Sequence, residues 1–483
     1  MKRIIIISLL CVFLVTVFKL VADEFEEWNK TQQGEFDTYK RDQDKAFADF
    51  LKKQWESFEL FKGESLYEKP KPEEVPVAEE KELPEAPDTK IVEEISVPEN
   101  VFIQEEPEEK HFMEIAPTDE KADLIINYWG KPLRLNYTDD FRFKLTKPIN
   151  YKEIAQFWYE ASETKHEKLI SQLQNYKKEL ELNDWGYCLL LNEIGRNITQ
   201  NNDNVTKLFV WFMLSKSGFD TKVGYNKDTV YLMIRSNYNI YGVPYLKFGD
   251  NRYYVVSLGK EEKIKGSVYT YDGNYPEADS DISLSMKKTP NLNKHIVEKD
   301  LKFVYKNKKY ILKIRYDENT PKYLANYPQT NLEVYFETPL SLDAYQSISK
   351  QLEPILVGKS QTEAVNILLR FVQTAFDYKT DGEQFGREKS LFTDETLFYP
   401  YSDCEDRSIL FAFLVRNLLG LEVIGLDYPG HIATAVRFPN YIKGYAVKYK
   451  KNRYLICDPT YINANIGMVM PQLKGVRPKL IKI

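Results

Sequence analysis

Aromatic residues set the first pattern along the chain. Phe25, Phe36, Phe47 and Phe58 recur every eleven residues, and Trp28, Tyr39, Phe50 and Phe61 follow each of them by three. Eleven residues over three turns is about 3.67 per turn, so all eight rings fall on one helical stripe, with Glu, Asp, Lys and Gln filling the other positions. The spacing predicts an amphipathic helix over 23–63, weakened locally at Gly34. Such a stripe packs on the protein's own body or on a second copy. The other reading is a membrane surface or a partner protein.

From about residue 121 the pattern becomes globular. The stretches NNDNVTKLFVWFMLSKSGFDTKVGYNKDTVYLMI (201–234) and DCEDRSILFAFLVRNLLGLEVIGLDYPGHIATAV (403–436) each read as an apolar helix, a glycine stop and strands. NRYYVV from Asn251 and NRYLIC from Asn452 follow them as further strands. Laid so that Gly218 meets Gly420, Asn202 stands opposite Cys404 and Thr229 opposite His431. This predicts a duplication in which the first copy, 121–261, lacks the chemistry of the second.

Between the copies, LKFVYKNKKYILKIRYDE (301–318) and NLEVYFETP (331–339) alternate like strands, with KNKK as a hairpin turn, so 262–345 is expected to be β-rich. The last unit, 346–483, begins with a helix over 362–381 whose apolar face is Ala364, Ile367, Leu368, Phe371, Val372, Ala375 and Phe376. A polar loop, 382–400, leads to the second copy's helix. The fold class is α+β.

Charge changes the picture in one place. The chain of 483 residues is long enough for two or three units, and its net charge is −6. Glu64 to Lys110 holds 16 acids and 5 lysines, a net −11, which leaves about +5 for everything else. Seven of the 23 prolines lie there too, so 64–120 is expected to be a disordered acidic tether. No basic cluster is dense enough to suggest nucleic acid. The start, MKRIIIISLLCVFLVTVFKLVADE, reads as a secretory signal over 1–22 cut after Ala22, or, because Leu20 fits that cut poorly, as an uncleaved membrane anchor. Either way the body of the protein is expected outside the cytoplasm, in the periplasm or cell envelope.

Three cysteines follow that segment, too few and too odd a number for a disulfide framework. A single Cys188–Cys457 or Cys404–Cys457 bridge stays open. Cys188 and Cys457 read as buried apolar thiols. Cys404 is different, because DCEDRS places it at a helix start, where the macrodipole favours a thiolate. Glu405 and Asp406 beside it work the other way. A thiolate nucleophile needs a base, and of four histidines only His431 lies in the same unit, opening a strand after Pro429-Gly430. The base needs an orienting group, and Asp458 ends the next strand. A zinc site from Cys404, His431, Asp458 and Cys457 has suitable ligand types but no paired close spacing.

These motifs together resemble the transglutaminase-like superfamily: Cys404 and Asp406 in DCEDRS, His431 after a turn glycine, and Asp458-Pro459-Thr460, in that order over about 346–483. The resemblance implies a papain-like α+β domain in which Cys404 attacks an amide carbonyl, His431 activates it and Asp458 holds His431. The acyl group would pass to water or to an amine, and the acidic residues after Cys404, where many members have an aromatic, fit proteases or amidases better than cross-linkers. The backbone N–H of Cys404 would help form an oxyanion hole with a donor from 382–401. No cofactor or metal is implied, and the partner is a peptide or protein amide. A non-catalytic envelope scaffold, binding through an inactive version of this fold, fits the same assembly-like parts.

Overall fold

The computed structural model describes residues 28–67, 69–79, 92, 122–137, 143–259, 264 and 267–483. The signal or anchor reading of 1–22 and most of the 64–120 tether lie outside the described residues. With 37% helix and 24% strand, the chain is α+β.

The first helix, α1 (28–51), is shorter than the aromatic repeat predicts. Its last turns bury Phe47, Ala48 and Leu51, and the Phe47 ring packs edge-on to Trp158 at 4.6 Å and Tyr271 at 6.2 Å. Trp28, Phe36 and Tyr39 are half-exposed. The fourth aromatic pair is not helical. Phe58 ends strand β1 (Glu56–Phe58), and Phe61 bridges Tyr245. Backbone pairing to a sheet edge won over the helical period, and the stripe packs on the protein's own body through Phe47, Phe50, Phe58 and Phe61.

After β2 (Leu124–Tyr128) and β3 (Lys131–Leu135) come α2 (Tyr151–Ser162), α3 (His166–Glu179), α4 (Asp184–Ile198) and α5 (Asp203–Lys216). Strands β4 (Thr221–Tyr225), β5 (Val230–Arg235), β6 (Tyr245–Phe248), β7 (Asn251–Val256) and β8 (Val268–Thr270) complete an antiparallel sheet in the order β1-β8-β4-β5-β7-β6. The middle region is only partly β. β9 (Ile296–Tyr305) and β10 (Lys308–Asp317) form the expected hairpin, turning at Lys306 and Asn307, both with positive φ. Helices α6 (Asn319–Leu324), α7 (Leu332–Glu337) and α8 (Leu342–Leu356) follow. NLEVYFETP is therefore a helix rather than a strand: Leu332, Val334, Tyr335 and Phe336 are all buried, and Arg416 caps the Phe336 carbonyl at 3.0 Å. All-round burial overrode the β preference of these side chains.

The last unit contains α9 (Gln361–Thr374), β11 (Asp377–Tyr378), α10 (Asp381–Phe385), α11 (Thr393–Phe398), β12 (Tyr401–Ser402) and α12 (Cys404–Leu419). Strands β13 (Val423–Tyr428), β14 (His431–Val436), β15 (Ala446–Tyr449), β16 (Asn452–Cys457) and β17 (Lys479–Ile481) follow, in the sheet order β15-β16-β14-β13-β17. The predicted loop 382–400 holds two short helices. α12 is apolar on every side because it lies between β13 and β14 on one face and α7, α9 and α11 on the others.

The two sheets share an order: β6-β7-β5-β4-β8 runs like β15-β16-β14-β13-β17. By element starts, α5 begins at Asp203 and β5 at Val230, and Ser257 follows β7. These positions correspond to Cys404, His431 and Asp458. The glycine-anchored alignment, with Asn202 and Thr229 as counterparts, is one residue off because α12 has 16 residues and α5 has 14, and Ser217 before Gly218 makes up only one of the two. The first unit has neither Cys nor His at these places.

Candidate active site

Cys404 is the first residue of α12, and its terminus is closed by Asp406, whose Oδ2 accepts from the Asp403 N–H at 3.1 Å and Oδ1 from the Leu391 N–H at 2.8 Å. The helix is zipped to β14: Ser408 Oγ donates to the Ile432 carbonyl at 3.1 Å, and the Ile432 N–H donates to Cys404 Sγ at 3.4 Å. The sulfur therefore lies at the start of the strand that His431 opens. That strand begins after the turn Pro429-Gly430, with Gly430 at φ +79.

His431 Nε2 meets Asp458 Oδ2 at 2.9 Å, while His431 Nδ1 is buried without a hydrogen-bond partner. Asp458 is held in turn. Its Oδ1 accepts from the Thr460 and Tyr461 N–H groups at 3.0 and 3.1 Å, and Gln373 Nε2 donates to the Asp458, Tyr461 and Ala464 carbonyls. Cys404, His431 and Asp458 are exposed by 0%, 3% and 1%. Of the three residues singled out from the sequence, His431 and Asp458 are joined directly, and Cys404 Sγ lies against the strand that His431 opens, bonded to the Ile432 N–H and Glu405 rather than to His431. Cys457 is not part of the set; it faces the core on the opposite side from Asp458, and the described cysteines are all unpaired. Neither candidate disulfide forms.

The acidic neighbours of Cys404 hold a surprise. Lys71, from the segment expected to be disordered, is buried with its ammonium 2.7 Å from Asp381 and 2.8 Å from Asp403, in contact with Glu405 and 3.2 Å from the half-exposed Glu388. Glu405 bridges: one oxygen meets the ammonium and the other accepts from the Cys404 thiol at 3.4 Å. Other described residues of the segment also contact the last unit. Tyr378 OH donates to the Pro72 carbonyl at 2.6 Å, Tyr67 OH lies 3.3 Å from Ser390 Oγ, and Val77 bridges Ile462. Residues 64–79 are therefore no free tether. Ion pairing and backbone bonds with other segments supply the order that this segment's own composition lacks.

This cover sets the electrostatics. Burial raises the Cys404 thiol well above its ordinary value, Glu405 and Asp403 push the same way, and Lys71 offsets them only in part. The expected lowering by the helix terminus is overturned here, because removal from water and two acids outweigh a dipole effect of about 0.3–1 kcal/mol. Burial also opposes the charges on Glu405 and Lys71, yet each sustains the other: Glu405 is held down at about 2 and Lys71 stays protonated far above neutrality. Burial and the Glu405 charge raise Asp403 and Asp406 strongly, and Asp381 to about 7. Oxygens of Asp381, Asp403 and Asp406 lie within 4.8 Å of one another, a donor set of hard-cation type, but Lys71 engages two of the three.

Sequence reasoning missed Lys71, Tyr67, Tyr378 and Asp381. The only available signal was a pair of lysines interleaved with prolines (Lys69-Pro70-Lys71-Pro72) in an otherwise acidic run. Comparison with protein-family models, with curated proteins and with solved structures finds no match.

Proposed function

We propose that this chain is a cysteine-dependent acyl-transfer enzyme acting on amide or peptide bonds, hydrolytic rather than cross-linking, in a papain-like domain similar to the transglutaminase-like superfamily. One observation carries the reading: His431 is tied through Nε2 to Asp458 while its other nitrogen is left unpartnered at the end of the strand that contacts Cys404 Sγ. A neutral imidazole with Nε2–H on Asp458 keeps a lone pair on Nδ1. That nitrogen takes the thiol proton as Sγ attacks the carbonyl carbon. The imidazolium, stabilised by Asp458, then gives the proton to the departing amine and leaves a thioester. Water, deprotonated by Nδ1, releases the acid and restores the thiol. The apolar N-terminal run leads us to place this activity outside the cytoplasm.

With the covering segment released by Lys71→Ala, adding Cys404→Ala should abolish amide hydrolysis while the melting temperature stays within a few degrees of the Lys71→Ala parent. Unchanged turnover would end the enzyme reading. The full burial of Cys404 favours a second reading, a binding scaffold built on a silent triad. It predicts no turnover on any amide even after residues 67–78 are displaced.

A further inference from the structure

Residues 69–78 follow a particular path across the last unit. The Lys71 ammonium sits at the start of α12 beside Cys404, among acids supplied by α10 and by the α12 N-terminus itself. The Pro70 carbonyl lies against the turn that presents His431, so close that a Cβ on Gly430 would stand 2.8 Å from it. Tyr378, on the strand paired to the one just before Cys404, donates to the Pro72 carbonyl. The chain then pairs with the loop after Asp458: the Ile462 N–H donates to the Pro76 carbonyl at 3.0 Å and the Ala78 N–H to the Ile462 carbonyl at 2.7 Å. One extended segment thus passes the turn before His431, the acidic side chains flanking Cys404 and the loop that follows Asp458, held by backbone carbonyls, the Ala78 N–H and one charged side chain. Peptides in recognition grooves are held in the same way.

We propose that residues 67–78 occupy the substrate groove of the triad in cis, and that Asp381, Asp403 and Glu405 form a subsite for a peptide carrying a primary-ammonium side chain, filled here by Lys71. This deepens the proposed function and rests on it for the word substrate. The subsite is built rather than merely acidic. Its three carboxylates are buried, and Asp403 keeps one oxygen buried and unpartnered beside the ammonium. It recognises the ammonium and does not make it an acyl acceptor: Glu405 stands between the nitrogen and Sγ, and a protonated amine has no lone pair to attack with.

The test uses the full chain with Lys71→Ala and two acetylated, amidated tetrapeptides, one with the sequence of residues 69–72 and one with norleucine in place of its second lysine. Calorimetry should show the lysine peptide binding Lys71→Ala at least about tenfold tighter than the norleucine peptide, and the unaltered chain binding neither at the same concentration. Equal affinities, or binding of neither peptide to Lys71→Ala, would overturn the subsite and leave Lys71 as a purely structural ion-pair partner. If Lys71→Ala does not fold, Lys71→Ala with Asp381→Asn removes one buried acid along with the base, and the same comparison decides. Because calorimetry needs no turnover, failure here is separate from failure of the Cys404 experiment.

Discussion

At the residue scale, the three catalytic candidates were readable because each stands at the end of an element, where a polar side chain interrupts an apolar run. Lys71 was not readable. Its partners Asp381, Asp403 and Glu405 lie 310 to 334 positions away, and a lysine among glutamates and prolines has the appearance of a solvated charge. Burial, with Glu405 and Asp403 beside the thiol, reverses the expected behaviour of Cys404, and Lys71 offsets this only in part. Alkylation of the intact chain, followed by mass spectrometry against pH, should find Cys404 as unreactive at neutrality as the buried Cys188 and Cys457; fast neutral alkylation of Cys404 would contradict the cover. Asp458→Asn keeps the shape but loses the charge that stabilises an imidazolium, so turnover should fall by about 10³-fold or more with little change in KM. A different carboxylate governs stability. Burial raises Asp394 to about 7 although it accepts from the Ser341 N–H and hydroxyl. A carboxyl that holds its proton in the folded state and loses it in the unfolded chain makes stability fall as pH rises from about 4 to 7. Asp394→Asn should remove up to about 1.4 kcal/mol per pH unit of that slope, as read from denaturant midpoints at pH 4, 5.5 and 7.

At the element scale, patterning succeeded where an apolar run is long enough to declare a helix and failed where it is short, although burial is extensive in both cases. α9 was legible from its 3.6 period, although it ends at Thr374 rather than 381, because β11 takes over at Asp377. α7 was not, since four of its six side chains are buried and no alternation distinguishes strand from helix. The turn between β13 and β14 joins fold and site most tightly. Gly430 meets two demands there, a left-handed backbone and the close approach of the Pro70 carbonyl. Gly430→Ala should cost about 1 kcal/mol or more in stability and raise the neutral alkylation rate of Cys404 several-fold, because the covering segment has to shift. Unchanged alkylation would mean that the segment is held elsewhere.

At the scale of the whole molecule, the two similar helix–strand runs fold into sheets of the same strand order, and only one of them carries the candidate cysteine, histidine and aspartate. Asp203, Val230 and Ser257 stand where Cys404, His431 and Asp458 stand in the other unit. The α+β class was legible from such runs; the route of 64–79 was not, because nothing local specifies which distant surface an acidic, proline-rich stretch adopts. That route has a mechanical consequence. Before the chain reaches the site it is fastened to the first unit, through β1 on β8, Phe61 on Tyr245 and the Glu64 carbonyl on the Gly242 N–H at 2.9 Å. Beyond the site, Val92 exchanges backbone hydrogen bonds with Gly358 and Lys359. The two anchors lie in series with the covering segment, so tension applied to the N-terminal helix loads its docked last turns around Phe47 and Leu51 and then the 56–64 fastening, before it reaches the cover. Stretching single molecules from residue 28 should break that fastening before Cys404 becomes alkylatable, so the cover is shielded from load at both ends.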